Sequence, residues 1–160
     1  MDDYIITTML PDHYDDVYRL WQTHEGIGLS SADSRESITG FLERNRGLSF
    51  VATLNDGIIG TILGGHDGRR GFVYHLIVDS RYRSRGIGRA LVVSCLESFK
   101  RIGIKKSHVF VFKVNEKGIG FWKKMGYQLR DDLFAYSGET CHPFRPKLGH
   151  LDDITNPLTS

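Results

Sequence analysis

The sequence predicts a mixed α/β (α+β) domain, a mostly antiparallel central sheet of about six to seven strands flanked by about four helices. Three observations point there. Apolar residues switch between helical and strand periods along the chain. The elements do not follow a strict βαβ alternation. Asn55-Asp56-Gly57 lies between two apolar runs as a strong hairpin signal. With 160 residues, 40% of them hydrophobic and 11% aromatic, the chain fits one domain with a core of its own.

Tyr4 to Met9 reads as a short strand. Pro11 suits a first helical turn, Asp12, Asp15 and Asp16 favour its positive end, and Val17, Leu20 and Trp21 supply the inward stripe of a helix over 12–23. Glu25 to Ser31 is a loop, and Asp33 or Ser34 caps a second helix to about Asn45. Leu48–Leu54 and Ile58–Leu63 form the hairpin. Gly64-Gly65-His66-Asp67-Gly68 reads as another turn, and Phe72–Val78 as a third antiparallel strand. Ile87, Leu91, Cys95 and Phe99 recur four residues apart, so a helix runs from about Gly86 to Arg101. Ser107–Val114 is a strand, Asn115–Met125 a helix, and Tyr127–Tyr136 a final strand or hairpin. Beyond Gly138 the period is broken by Pro143, Pro146, Gly149 and Pro157, so the expected division is a domain over 1–137 and an irregular tail over 138–160.

Composition narrows the function classes. A net charge of +2 does not argue for nucleic acid, and basic and aromatic residues are not interleaved on one expected face. No run reaches the ~18 apolar residues of a membrane span. The start, Met1-Asp2-Asp3-Tyr4, lacks the basic and apolar regions of a signal peptide, so the expected location is cytoplasmic. Cys95 falls on an apolar helix stripe and Cys141 in a polar stretch, which indicates neither a disulfide framework nor a metal site.

Charge is concentrated instead: Arg69, Arg70, Arg81, Arg83, Arg85 and Arg89 share one stretch, the pattern of a local anion site or of a solvated loop. The sharpest signal lies within it, where a strand ending at Val78 leads through Arg83-Ser84-Arg85-Gly86-Ile87-Gly88 into a helix. A helix start offers unpaired N–H groups and a positive dipole end to a phosphate. Glycines let the backbone approach it, and arginines add bidentate charge. A dinucleotide fingerprint is excluded because Leu91 occupies the third glycine position and the glycines lie too far from the strand. A Walker loop is excluded by its missing Lys-Ser/Thr.

Arg83-x-x-Gly86-x-Gly88, following Leu76-Ile77-Val78 and preceding Arg89-Ala90-Leu91, resembles the acetyl-CoA motif of the GNAT superfamily of N-acetyltransferases. Asn115, Phe121-Trp122 and Met125-Gly126-Tyr127 resemble the family's second motif, and the element order agrees over about residues 4–137. The runs 25–30 and 64–71 are similar to small, mostly uncharacterised bacterial members. The resemblance implies a V-shaped cofactor cleft holding acetyl-CoA or coenzyme A as cosubstrate, with no metal. It implies that Leu76, Ile77 and Val78 flank the pantetheine, with the Ile77 N–H a candidate for polarising the thioester carbonyl. Backbone amides of Arg83, Ser84, Arg85, Gly86, Ile87 and Gly88 then take the pyrophosphate, with Arg89 beside them. Asn115 contacts the cofactor, caps a helix, or does both. Phe121 and Trp122 flank the same site.

The implied reaction is acetyl transfer to a small-molecule or peptide primary amine by direct attack in a ternary complex. The amine must first lose a proton. His75, where many members carry glutamate, is the first candidate base, against the alternative of a histidine that only packs on a strand face. Glu25 is the second candidate. Trp122 stands where the family often has a tyrosine that protonates the leaving thiolate, and indole is no acid near pH 7. Tyr127, Tyr82 or water remain for that step. A catalytically weak acyl-CoA-binding regulatory module is the alternative reading. The acids Glu25, Asp33, Asp131 and Asp132 are candidates for attracting a cationic acceptor, and the family's habits imply a homodimer.

Overall fold

A computed structural model describes residues 4–24 and 27–140. They fall into two compact units that divide between Tyr127 and Gln128. The first holds every regular element. Strands β1 (Ile5–Thr8), β2 (Phe50–Leu54), β3 (Gly57–His66), β4 (Gly71–Val78) and β5 (Ser107–Val109) form one sheet in the order β1-β2-β3-β4-β5. Neighbours are antiparallel except for β4 and β5, which are parallel. Helices α1 (Tyr14–Gln22) and α2 (Arg35–Arg44) precede the hairpins, while α3 (Ile87–Arg101) and α4 (Glu116–Lys124) flank β5 in the chain.

The two faces of the sheet bury separate cores. Val17, Leu20 and Trp21 of α1 and Ile38 and Leu42 of α2 pack with Val51, Leu63 and Ile77. Ile87, Leu91, Val92, Cys95 and Phe99 of α3 pack with Phe50, Ala52, Ile62, Val73 and Trp122. Phe50, Val51 and Ala52 alternate between the two, as the period of a strand requires. Ser34 is the cap of α2, its Oγ accepting the Ser37 N–H at 3.2 Å, which frees Asp33 for another partner.

Among the described residues the sheet has five strands, fewer than the six to seven expected, and three boundaries moved. Gly64, Gly65 and His66 continue β3 instead of turning. A Cβ on Gly64 would stand 2.4 Å from the Leu48 carbonyl oxygen, and one on Gly65 would stand 2.9 Å from the Phe41 ring. These glycines serve close packing within a strand, a role that pattern reading confuses with turn chemistry. The expected strand over 107–114 is paired only to Val109, and 127–136 forms no strand among the described residues. A strand exists only where its N–H and C=O groups find a neighbouring ladder, and apolar composition alone does not supply one. In the second unit the described residues carry local contacts: Arg130 donates to Asp132 at 2.7 Å, and the Phe134 and Tyr136 rings lie 6.4 Å apart.

One irregularity interrupts the β3–β4 ladder. Leu63 stands opposite Tyr74 and Thr61 opposite Ile77, so β4 carries one more residue than β3 across this span. His75, with φ of +47°, is where the backbone departs from strand geometry. Tyr74 meets Phe41 of α2 and His75 meets Trp21 of α1, so both point to the α1/α2 face. Alternation then resumes, with Leu76 and Val78 on the α3 core and Ile77 on the α1/α2 core.

Candidate active site

β4 and β5 pair only between Gly71–Val73 and Ser107–Val109. Beyond these residues the two segments part and leave a cleft of about 1040 Å³, lined along β4 by Tyr74 to Val78 and across from it by Val109 to Phe112. Arg83, Ser84, Gly86, Ile87, Gly88 and Arg89 line it where β4 leads into α3. Asn115, Phe121 and Trp122 line it from α4.

The turn into α3 has the local geometry of an anion site. Ser84 and Gly86 are left-handed, with φ of +61° and +82°, and no side chain caps Gly86. Ala90 makes the first helical bond to the Gly86 carbonyl, so the N–H groups of Ile87, Gly88 and Arg89 are not consumed by the helix. Left-handed residues in such a turn let neighbouring N–H groups converge, and the helix dipole adds positive potential. The turn is held from behind: Asp79 accepts from the Arg81 backbone N–H at 3.0 Å and from its guanidinium at 2.7 Å. That guanidinium keeps the Asp79 carboxyl below its ordinary range. Arg85 lies over the Tyr82 ring at 5.3 Å.

The arginine stretch of the sequence is therefore two groups. Arg69 and Arg70 bond around Asp67 in the β3–β4 turn, at the end of β4 remote from α3. Eight residues of strand, about 25 Å, separate them from Arg83 and Arg89.

At the bulge, the His75 imidazole Nε2–H donates to Asp33 Oδ1 at 2.6 Å. The His75 and Asp33 side chains are only 18% and 8% exposed. Asp33 is fixed in turn: its other carboxylate oxygen accepts the Ser30 N–H at 2.8 Å, and its carbonyl accepts the Tyr14 hydroxyl at 2.8 Å. Trp21 packs edge-on against the imidazole at 4.6 Å and donates its indole N–H to Thr61 Oγ1 at 3.0 Å. The Thr61 hydroxyl donates to the His75 carbonyl at 3.0 Å, which pins the bulge. With Nε2–H committed to a carboxylate, neutral His75 carries its lone pair on Nδ1.

Sequence reasoning missed three parts of this arrangement. Asp33 is buried and bonded to His75, not a surface acid; the Ser30-x-x-Asp33 spacing signalled an ordered turn, yet nothing in it pointed to residue 75. His24 lines the cleft and donates Nε2–H to the Val78 carbonyl at 3.1 Å. That carbonyl also accepts Arg83 Nε–H at 3.2 Å, so it is engaged within the protein. Thr61 and Trp21 carried no signal beyond strand and helix membership. Glu25 lies outside the described residues.

Asn115 caps α4, its Oδ1 accepting the Gly118 N–H at 2.9 Å, and it also lines the cleft. Trp122 is buried, edge-on to Phe121 at 5.3 Å and Tyr127 at 4.8 Å. Tyr127 is half-buried, its hydroxyl lies 2.6 Å from Ser107 Oγ, burial raises its pKa, and it is not among the described cleft residues. Tyr82, by contrast, does line the cleft. Among the described residues no cluster of three or more His, Cys, Asp or Glu is arranged to hold a metal ion, and no helix is long and apolar enough to cross a membrane.

The sheet thus opens between two parallel strands, with a helix start at one end of the opening and a half-buried imidazole along it. Residues 14–127 match the Acetyltransferase (GNAT) family, and the chain belongs to it. An acetyltransferase of Yersinia pestis is 31% identical over 122 residues, which cover 76% of this chain and 86% of that protein. The PaiA N-acetyltransferase of Thermoplasma acidophilum, solved with coenzyme A, superposes with a TM-score of 0.71 at 18% identity, covering 81% of this chain and 92% of the other. The aminoglycoside N-acetyltransferase AAC(6')-Iy, solved with a bisubstrate analogue, gives a TM-score of 0.69 at 16% identity, covering 86% and 99%.

Proposed function

We propose that this chain is an acetyl-CoA-dependent N-acetyltransferase that moves an acetyl group to a primary amine by direct attack in a ternary complex, with His75 as general base. The single observation that carries the reading is His75, held by the buried Asp33 and lining a cleft whose other end is the uncapped start of α3. The residues present fit coenzyme A: two left-handed residues, three unspent amide groups and the Arg83 and Arg89 side chains suit a pyrophosphate. The thioester supplies the acetyl group.

What remains is the work of this chain's residues. Amides from Arg83 to Gly88 hold the diphosphate, and Leu76 and Ile77 wall the pantetheine; the Ile77 N–H, paired with Thr61 in the β3–β4 ladder, faces β3, so an oxyanion-type donor would come from the alternate N–H groups of β4. Asn115, Phe121 and Trp122 complete that wall from α4. His75 Nδ1 takes the proton that an ammonium must lose before its nitrogen can attack. Asp33 fixes the tautomer and stabilises the imidazolium that results. Glu25 stays a second candidate for proton removal. Trp122 cannot return a proton to the thiolate, and Tyr127 is tied to Ser107, so Tyr82 or solvent serves there. The catalytic domain in this reading is 1–137, with 138–160 as an extension.

The test is thiol release from acetyl-CoA across polyamines, amino acids, aminoglycosides, arylalkylamines and peptides. Acceptor-dependent release with at least one of them is expected. Coenzyme A binding without release throughout the panel would sink the enzymatic reading in favour of an acyl-CoA-binding module.

A further inference from the structure

The geometry points to the acceptor: a small primary monoamine carrying an aromatic ring, and not a polycation. This inference rests on the acetyl-transfer reading above and names the substrate class of the same site. Rings run along the α1/α2 face from the paired end of β4 and β5 toward their opening, where Tyr74 lines the cleft. Phe41 and Tyr74 lie 6.2 Å apart, Tyr74 and Phe72 6.4 Å, and Phe72 and His108 5.7 Å, a continuous stripe from α2 across two strands. Phe110 and Phe112 come next where the chain leaves β5, and both line the cleft. Phe112 approaches the 27–29 loop closely enough that a Cβ on Gly28 would stand 3.6 Å from its ring. Tyr74, Phe110 and Phe112 are 37%, 66% and 56% exposed, so these rings line the cleft that His75 also lines with much of their surface unpartnered. The bulge is what sets Tyr74 and His75 side by side on one face.

Charge gives the complementary half of the argument. Among the described residues lining the cleft there is no carboxylate, while Arg83, Arg89, Lys117 and Lys124 all line it. The nearby acid, Asp33, has both carboxylate oxygens spent, on His75 and on the Ser30 N–H. A polyamine or aminoglycoside would have to bury its extra ammonium groups against these rings, where none of the described lining side chains is an anion that could replace their lost hydration. A monoamine brings one ammonium, which it must deprotonate in any case, and an aromatic group that stacks on the wall at the 4.5–7 Å spacing rings prefer.

The experiment compares phenethylamine and tryptamine with spermidine and kanamycin as acceptors for thiol release. Calorimetric titration of phenethylamine and of spermidine into protein saturated with coenzyme A runs in parallel. The expected result is a kcat/KM at least tenfold higher for phenethylamine than for spermidine. Phe112→Ala and Tyr74→Ala should each raise the phenethylamine KM about tenfold and leave the acetyl-CoA KM within twofold. Faster turnover with spermidine or kanamycin overturns the inference and leaves acetyl transfer standing. If no amine releases thiol, acetyl transfer fails, and calorimetry still decides the acceptor site. Phenethylamine binding that exceeds spermidine binding and weakens in Phe112→Ala upholds it, and equal or absent binding overturns it.

Discussion

His75 sits between two constraints of different origin. Its carbonyl is pinned by Thr61 and its ring by Asp33 and Trp21. A positive φ costs a non-glycine residue about 1–3 kcal/mol and persists only where surroundings over-determine it, and these three contacts do so. General bases contribute about 10²–10⁴ in rate. His75→Ala should therefore lower kcat/KM by at least about a hundredfold while leaving acetyl-CoA affinity nearly intact; unchanged rates would remove His75 from the mechanism. Asp33→Asn keeps the size of the side chain and removes its charge, so kcat should fall about tenfold or more at constant acetyl-CoA KM. Equal loss in both parameters would show that Asp33 only holds the loop. At this scale the sequence made His75 visible through its place beside Leu76-Ile77-Val78. Its partner lies 42 residues away across a fold, and no local spacing encodes that distance.

At the scale of elements, glycines separate two jobs that look alike in sequence. Gly64 lies in β3 against the Leu48 carbonyl and Cys95 Sγ, at 2.4 and 2.7 Å from where a Cβ would be. Gly64→Ala should cost about 2 kcal/mol or more by overpacking, read as a lower denaturation midpoint at unchanged slope. Gly86 is different: a Cβ there meets only the Tyr4 hydroxyl at 4.0 Å, and the demand is its φ of +82°. Asparagine tolerates that conformation, so Gly86→Asn should fold, while Gly86→Glu adds a carboxylate to the anion site. Acetyl-CoA at 100 times its Kd stabilises a binding protein by about 2.7 kcal/mol. The corresponding rise in melting temperature should persist in Gly86→Asn and vanish in Gly86→Glu. Persistence in both would mean the anion site is elsewhere. Helices and hairpins were legible because their periods are local. Gly64 and Gly65 misled because the packing that demands them comes from Leu48 and Phe41, which the period of β3 does not contain.

For the whole molecule, the two-faced sheet decides which groups respond to solvent. Cys95 is buried in the α3 core, and burial pushes its thiol up to about 12. It should resist alkylation at pH 8 in the native protein and react on unfolding, as peptide mass mapping would show; rapid native labelling would contradict the packing. Acid behaves oppositely. The folded Asp79 carboxyl lies below its ordinary pKa, chiefly through the Arg81 guanidinium. The unfolded state thus takes up its proton first. The stabilisation is present above about pH 4 and is lost as pH falls through the lowered folded value. Asp79→Asn should lower the melting temperature at pH 7, with the gap closing toward pH 3. A gap independent of pH would assign the loss to the turn's hydrogen bonds alone. The class of fold was readable from the order of elements. The strand count was not, because pairing depends on where two segments meet, and 128–140 carry strand-like residues without a ladder.

Removing His75 in thought leaves Thr61 opposite Ile77, Ile62 opposite Leu76 and Leu63 opposite Tyr74, an unbroken ladder with every other side chain on its present face. The imidazole thus occupies a supernumerary position, added to a strand already complete without it. In the proposed mechanism chemistry is separable from architecture in heredity: a three-nucleotide deletion of codon 75 would close the ladder and take away the proposed base together.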